Sequence, residues 1–294
     1  MQSASSIIYH FLRKHNLMII DGHAHSCGIF YGGENIIKIL DQLQVDKVAL
    51  CTNFENNAKN QSLPNLAQWF PGSDVMFPMN RFIKLVNKLA SPKASLMSGN
   101  EYVFRMASEY PDRIIQFYWL DPNEPNALRD LKDNFFQWRF KGVKFHQPSA
   151  PFNFDNPVLA DIAHFAAMQR LPVFIHLYSK KDVESFIQFA QNHLETNFIV
   201  AHLIGLEIFE KRQVNLENLY FDISPTPLIS DKRILKAINL FGAERVMLGS
   251  DTPFGKDNLK KNIERVKRLP ISQEQKGLIL GDNFQSLLNL QTGV

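Results

Sequence analysis

The stretch Ile19-Ile20-Asp21-Gly22-His23-Ala24-His25 decides the fold. An apolar opening that turns into alternating polar residues reads as a buried β-strand. Its C-terminal end carries His23 and His25 on one face, because strand side chains alternate with a period of two. The same plan, an apolar strand ending in a single polar group, recurs at Phe174-Ile175-His176, Val200-Ala201-His202 and Leu248-Gly249-Ser250-Asp251. Working outward, eight strand candidates appear at residues 18–25, 47–53, 114–121, 142–147, 172–179, 197–205, 219–224 and 245–251. Helix-period segments lie between them, such as 34–44, 127–138, 159–169, 181–193 and 232–241. Successive strand starts fall 22 to 30 residues apart, with one gap of 67. That spacing is what a strand, a helix and two short loops require. Eight such units in a row predict an α/β fold, a closed (β/α)8 TIM barrel forming a single domain over 1–294. Segments 258–268, 273–280 and 283–290 read as extra C-terminal helices.

The 67-residue gap holds an insertion after the second strand, residues 54–100, at the end of the barrel where active sites sit. It reads either as a lid or pocket wall carrying Trp69, Phe70 or Phe77, or as a small satellite core.

Composition narrows the function. With 294 residues, 45% of them hydrophobic and 24 Phe, the chain can bury a large core and is not disordered. No apolar run approaches the roughly 18 residues of a membrane helix. A net charge of +3, from 32 basic and 29 acidic residues, with no basic stripe between aromatics, argues against nucleic-acid binding. Two cysteines, Cys27 and Cys51, cannot make a disulfide framework and fit a reducing compartment. Segment 1–17 is interrupted by His10, Arg13, Lys14 and His15 and does not read as a signal peptide. A cytoplasmic location is expected.

A barrel gathers its strand C-termini around one mouth, so His23, His25, His176, His202 and Asp251 should converge. Four imidazoles and a carboxylate packed together are costly unless they bind a cation. Nitrogen and carboxylate donors suit Zn²⁺ and also Mn²⁺, Fe²⁺ or Ni²⁺. His10, His15, His164 and His193 sit in helical or terminal segments and are not expected at the site. On strand four, Gly142-Val143-Lys144-Phe145-His146-Gln147-Pro148 puts Lys144 and His146 on one face, so either could enter the mouth. Tyr178 is a substrate-binding candidate or a packing residue at the rim, and Asp222 and Ser224 are candidates for the pocket edge. Cys27 and Cys51 read as buried thiols.

These motifs, together with Ser250-Asp251-Thr252-Pro253 and Ile279-Leu280-Gly281-Asp282-Asn283-Phe284, resemble the amidohydrolase superfamily and its amidohydrolase-related (amidohydrolase 2) branch. The resemblance runs from Met18 to about Leu290; the branch usually carries Ala where this chain has Phe284. It implies that His23, His25, His176 and Asp251 hold one divalent ion, Zn²⁺ with Mn²⁺ as the alternative. Asp251 would double as general base. His202 would polarise the substrate carbonyl, steady an oxyanion or bind a second ion. Lys144, carboxylated in some two-ion members, and His146 are candidates for that second ion or for substrate. One ion is expected rather than two. The resemblance implies hydrolysis of an amide, ester or lactone bond in a small molecule, with non-oxidative decarboxylation of an aromatic or unsaturated acid as the alternative. Relatives of this kind are often dimers, so a homodimer is an open expectation.

Overall fold

Runs rich in Val, Ile and Phe form the expected strands in the expected order. In the computed structural model, which describes residues 18–53, 62–89, 95–255 and 257–290, they are β1 (Ile20–His25), β2 (Lys47–Cys51), β3 (Ile114–Trp119), β4 (Gly142–His146), β5 (Val173–His176), β6 (Phe198–Val200), β7 (Leu219–Asp222) and β8 (Val246–Met247). The readings of 1–17, with His10 and His15, and of two parts of the insertion, 54–61 and 90–94, fall outside the described residues. All eight strands are parallel neighbours in sequence order. The ring closes where the chain leaving β8 meets β1. The Gly22 N–H donates to Leu248 O at 3.0 Å, Asp251 N–H to His23 O at 2.7 Å and His25 N–H to Thr252 O at 2.9 Å. This is the predicted (β/α)8 barrel.

Helix α1 (Gly33–Leu43) joins β1 to β2. Among the described residues, three helices separate β2 from β3: α2 (Leu66–Trp69), α3 (Met76–Leu89) and α4 (Leu96–Glu109). Then α5 (Ala127–Trp138), α6 (Pro157–Met168), α7 (Lys180–Gln191), α8 (Leu206–Lys211) and α9 (Asp231–Phe241) join the later strands. After β8 come α10 (Asn258–Arg268), α11 (Gln273–Gly277) and α12 (Asn283–Leu287). Local chemistry sets several starts. Asn156 accepts from Val158 N with Pro157 at the first turn of α6, and Ser179 and Asp182 form a reciprocal cap on α7.

Two apolar cores result. The larger lies between strands and helices. The smaller fills the barrel itself with Ile20, Ala49, Ile115, Phe117, Phe174, Ile199 and Met247, and Phe284 and Leu287 of α12 join it. Phe284 packs on Phe117 with ring centroids 6.0 Å apart. A Cβ on Gly22 would fall 2.9 Å from the Phe284 ring, so the bulky residue is matched by a glycine on β1.

Three boundaries differ most from expectation. The insertion ends before Leu96 rather than at residue 100, because α4 is the ordinary helix of the second unit. Its buried face includes Gly99 and Asn100, which hide its helical period. Gly99 sits where a Cβ would overlap the Thr52 hydroxyl. Asn100 pairs with β3 as a strand would, donating to Trp119 O at 2.7 Å and accepting from Trp119 N at 3.0 Å. β6 stops at Val200, since Ala201–Leu203 forms a tight turn with His202 in the left-handed region (φ 61°). β8 ends at Met247, and its continuation bonds irregularly to β1.

Candidate metal centre

At the mouth, ligand atoms of His23, His25 and Asp251 lie within 4.8 Å of one another, as do those of His23, His202 and Asp222. Asp251 Oδ1 is 3.3 Å from His25 Nε2 and 3.5 Å from His23 Nε2. Asp251, like His202, has a left-handed backbone (φ 55°), a conformation that a non-glycine residue adopts at a cost of order 1–3 kcal/mol and that concentrates at functional sites.

Partners of fixed polarity set which ring nitrogen carries each proton. His25 Nδ1 donates to Thr52 O at 2.9 Å and His202 Nδ1 to Ser224 O at 2.7 Å. His23 Nδ1 donates toward Asp222 Oδ2 at 3.2 Å and Ser224 Oγ at 3.1 Å, while that hydroxyl donates its own proton to Asp222 at 2.6 Å. In neutral rings these bonds leave the lone pairs of His23, His25 and His202 on Nε2, the orientation a metal ligand needs. His146 is the reverse case. Its Nδ1 accepts the Ser149 N–H at 3.2 Å, so its proton is on Nε2 and a donor rather than a ligand is presented.

The other expected residues are close by. His176 is opposite His146 in register, their rings 4.4 Å apart, and its ring is 4.6 Å from His202. It is in neither ligand group, and its Nε2 bonds Asn80 Oδ1 of α3 at 2.8 Å. Lys144 is buried, with Nζ 3.0 Å from His23 Nε2 and 4.1 Å from the centre of the Phe174 ring. Tyr178, partly exposed, borders a cavity of about 240 Å³ shared with Asn123, Gln147, Asn153 and Asp182. Cys51 is core, as expected, yet its sulfur is 3.3 Å from His25 Nδ1. Asp222 and Ser224 lie beneath His23 and His202, fully buried, rather than at a pocket edge. Trp69 and Phe70 are 62% and 53% exposed, so they face solvent, whereas Phe77 packs on the core.

Electrostatics separates neighbouring rings. Burial, then Lys144, holds His23 far below the ordinary imidazole range. Burial, with His146 and His202 beside it, does the same for His176, and burial with Lys144 does so for His146. For His25, burial also opposes the charge, but the Cys51 sulfur and the Asp251 carboxylate outweigh it and raise the ring to about 10. Both rings meet the Asp251 carboxylate, so the contrast between His23 and His25 follows from the Lys144 ammonium on one and the Cys51 sulfur on the other. Burial lowers Lys144 against the pull of Cys51, Asp251 and Asp222, and it raises Asp222 and brings Asp21 to about 7. Asp21 accepts from Ser250 N at 2.8 Å and Ser250 Oγ at 2.7 Å, which locks β1 to the segment bearing Asp251.

Sequence reasoning missed Asn80. A lone Asn in a helix of the insertion carries no strand-end signal, and only its complete burial marks it.

A family profile described as Amidohydrolase matches residues 86–290. The chain belongs to the amidohydrolase-2 family. That assignment agrees with the motif resemblance, and the matched span includes β3 through β8 with His176, His202 and Asp251. No curated protein matches. Among solved structures, 5-carboxyvanillate decarboxylase from Sphingomonas paucimobilis is 12% identical, with 94% of this chain and 100% of that chain covered and a TM-score of 0.63. A probable 2-pyrone-4,6-dicarboxylic acid hydrolase from Acinetobacter baumannii, with citric acid bound, is 14% identical over 92% and 99% of the two chains, TM-score 0.63. A 5-carboxyvanillate decarboxylase variant from Novosphingobium aromaticivorans, with bound manganese and a nitrobenzoic acid, is 14% identical over 86% and 80%, TM-score 0.60. At these identities the likeness concerns the fold. Among the described residues no helix of this amidohydrolase-2 member is long and apolar enough to cross a membrane.

Proposed function

We propose that the protein is a hydrolase acting on an amide, ester or lactone bond of a small organic molecule with one divalent ion, held by His23, His25, His176 and Asp251. The observation that carries this reading is the orientation of His23 and His25, whose Nε2 atoms face the Asp251 carboxylate while their Nδ1 atoms are committed to Asp222 and Thr52. The donor set fits a cation, since two imidazole Nε2 atoms and a carboxylate oxygen converge within ligand range of one another. Zinc is the expected ion, and the manganese in one structural neighbour supports it as the alternative. When bound, such an ion would polarise a carbonyl and lower the pKa of water toward neutrality.

The chain's own groups supply the rest. Asp251 accepts a proton at its carboxylate and returns it to the leaving group. His202, with its lone pair on Nε2, accepts a proton there and donates to a substrate oxygen only once it is imidazolium. His146 presents an Nε2–H and so hydrogen-bonds an oxygen of the substrate rather than binding a second ion. Tyr178 and the adjoining cavity receive the distal part of the substrate.

One observation favours decarboxylation as a second reading. Lys144 is a buried ammonium against His23, a group able to hold a substrate carboxylate. Against it, no arginine among the described residues makes a hydrogen bond or ion pair to the histidine cluster, and buried Arg233 is committed to Asp74 and Glu207. The metal-loaded protein should be assayed on esters and lactones for acid release, and on hydroxybenzoates and unsaturated acids for CO2 release. Turnover of the first group alone supports hydrolysis, whereas CO2 release alone replaces it with the second reading.

A further inference from the structure

We infer that Asn80, supplied by the insertion and not by the barrel, is a positioning residue that sets His176 to bind metal through Nδ1. The inference rests on the reading of His176 as a ligand. The Asn80 side chain is fully buried in the second turn of α3. Its Nδ2 donates to two carbonyls of the segment leaving β5, Leu177 O at 2.9 Å and Tyr178 O at 2.8 Å. Carbonyls only accept, so these two bonds fix the amide orientation and turn Oδ1 toward His176 Nε2, 2.8 Å away. An amide oxygen also only accepts. In the neutral ring His176 Nε2 therefore carries the proton. The one lone pair left is on Nδ1. In metal sites the second nitrogen of a ligating imidazole commonly donates to a protein acceptor in this way, which fixes both tautomer and ring orientation.

The insertion is anchored to deliver this contact. Asp74, just before α3, accepts from Met76 N at 3.0 Å through one oxygen and from Gly205 N at 2.7 Å through the other. The second oxygen also meets buried Arg233 at 3.3 Å, and Arg233 donates to Leu203 O at 2.8 Å. Leu203 ends the turn that carries His202, and Gly205 caps the helix that follows it. One helical turn past Asn80, the Lys84 ammonium lies 4.8 Å from the centre of the Tyr178 ring. The insertion thus grips the ends of β5 and β6 on both sides of His176.

The test compares the wild type with Asn80→Leu and Asn80→Asp. Both substitutions abandon the Leu177 and Tyr178 carbonyls, but only Asp keeps an acceptor for His176 Nε2, so their difference isolates that contact. Zinc affinity, measured by competition with a chromogenic chelator, is expected to fall about 10- to 100-fold in Asn80→Leu. Asn80→Asp should recover most of the loss. The readout that does not depend on a variant folding is long-range 1H–15N correlation of the zinc-loaded wild type labelled with 15N-histidine, the His176 signals being assigned by their loss in His176→Gln. Zinc on Nδ1 and a proton on Nε2 support the inference. Zinc on Nε2 overturns it while leaving His176 a ligand. No zinc on either nitrogen overturns it together with the ligand set of the proposed function. Unchanged affinity in folded Asn80→Leu also overturns it.

Discussion

His25 shows how one residue links proton and metal. Its Nδ1–H stays on Thr52 O in either protonation state, so the proton it loses is on Nε2, facing Asp251. With the ring raised to about 10 by Cys51 and Asp251 against its burial, the metal-free protein binds this proton at neutral pH, and the metal must displace it. Below that pKa the proton competes, so apparent zinc affinity should rise about tenfold per pH unit between roughly pH 7 and 9. Chelator competition at several pH values checks this, and a flat profile would contradict it. Asp251→Asn should cost about 100-fold or more in turnover even with metal in excess, as removal of a general base does. His202→Asn should keep normal metal content with turnover falling by a similar factor, seen by elemental analysis beside kinetics; loss of an ion would place His202 among the ligands. At this scale the gathering of His23, His25, His176, His202 and Asp251 at one mouth was legible, because each of these polar side chains ends an apolar strand. Asn80 and the buried role of Asp222 were not legible. Their function lies in the neighbours they contact across more than ninety residues, and no local pattern records that.

Among the elements, the outer helices were readable because each buries one periodic face, and the strands because, buried on both faces, they are short apolar runs. Helix α5 and helix α10 run over the residues the periodicity gives, Ala127–Trp138 and Asn258–Arg268. Helix α4 was not readable, because Gly99 and Asn100 occupy its buried face for reasons of fit to Thr52 and Trp119. Nor were the early ends of β6 and β8, where the backbone breaks strand geometry to aim His202 and Asp251. The turn after α11 shows how tightly the C-terminal helices seal the barrel. Gly281 sits where a Cβ would overlap the carbonyl of Met18 at the entrance to β1. Backbone cannot yield as a side chain end can, so Gly281→Ala should destabilise by about 1–3 kcal/mol. Thermal denaturation should show a lower midpoint, and an unchanged midpoint would mean that this contact is looser than the structure gives.

Over the whole molecule, the fold was evident from eight repeated units, while the site depends on closure of the ring. Only the meeting of β1 with the segment after β8 brings His23 and His25 to Asp251, and only the insertion brings Asn80 to His176. The central claim is that this convergence forms one metal centre. Elemental analysis of protein purified without chelator, repeated after reconstitution with zinc or manganese, tests it most directly. About one equivalent per chain, lost in His23→Asn and in His25→Asn, is the predicted result. Two equivalents per chain would make His202 and Lys144 ligands, and no uptake under either condition would contradict the account outright.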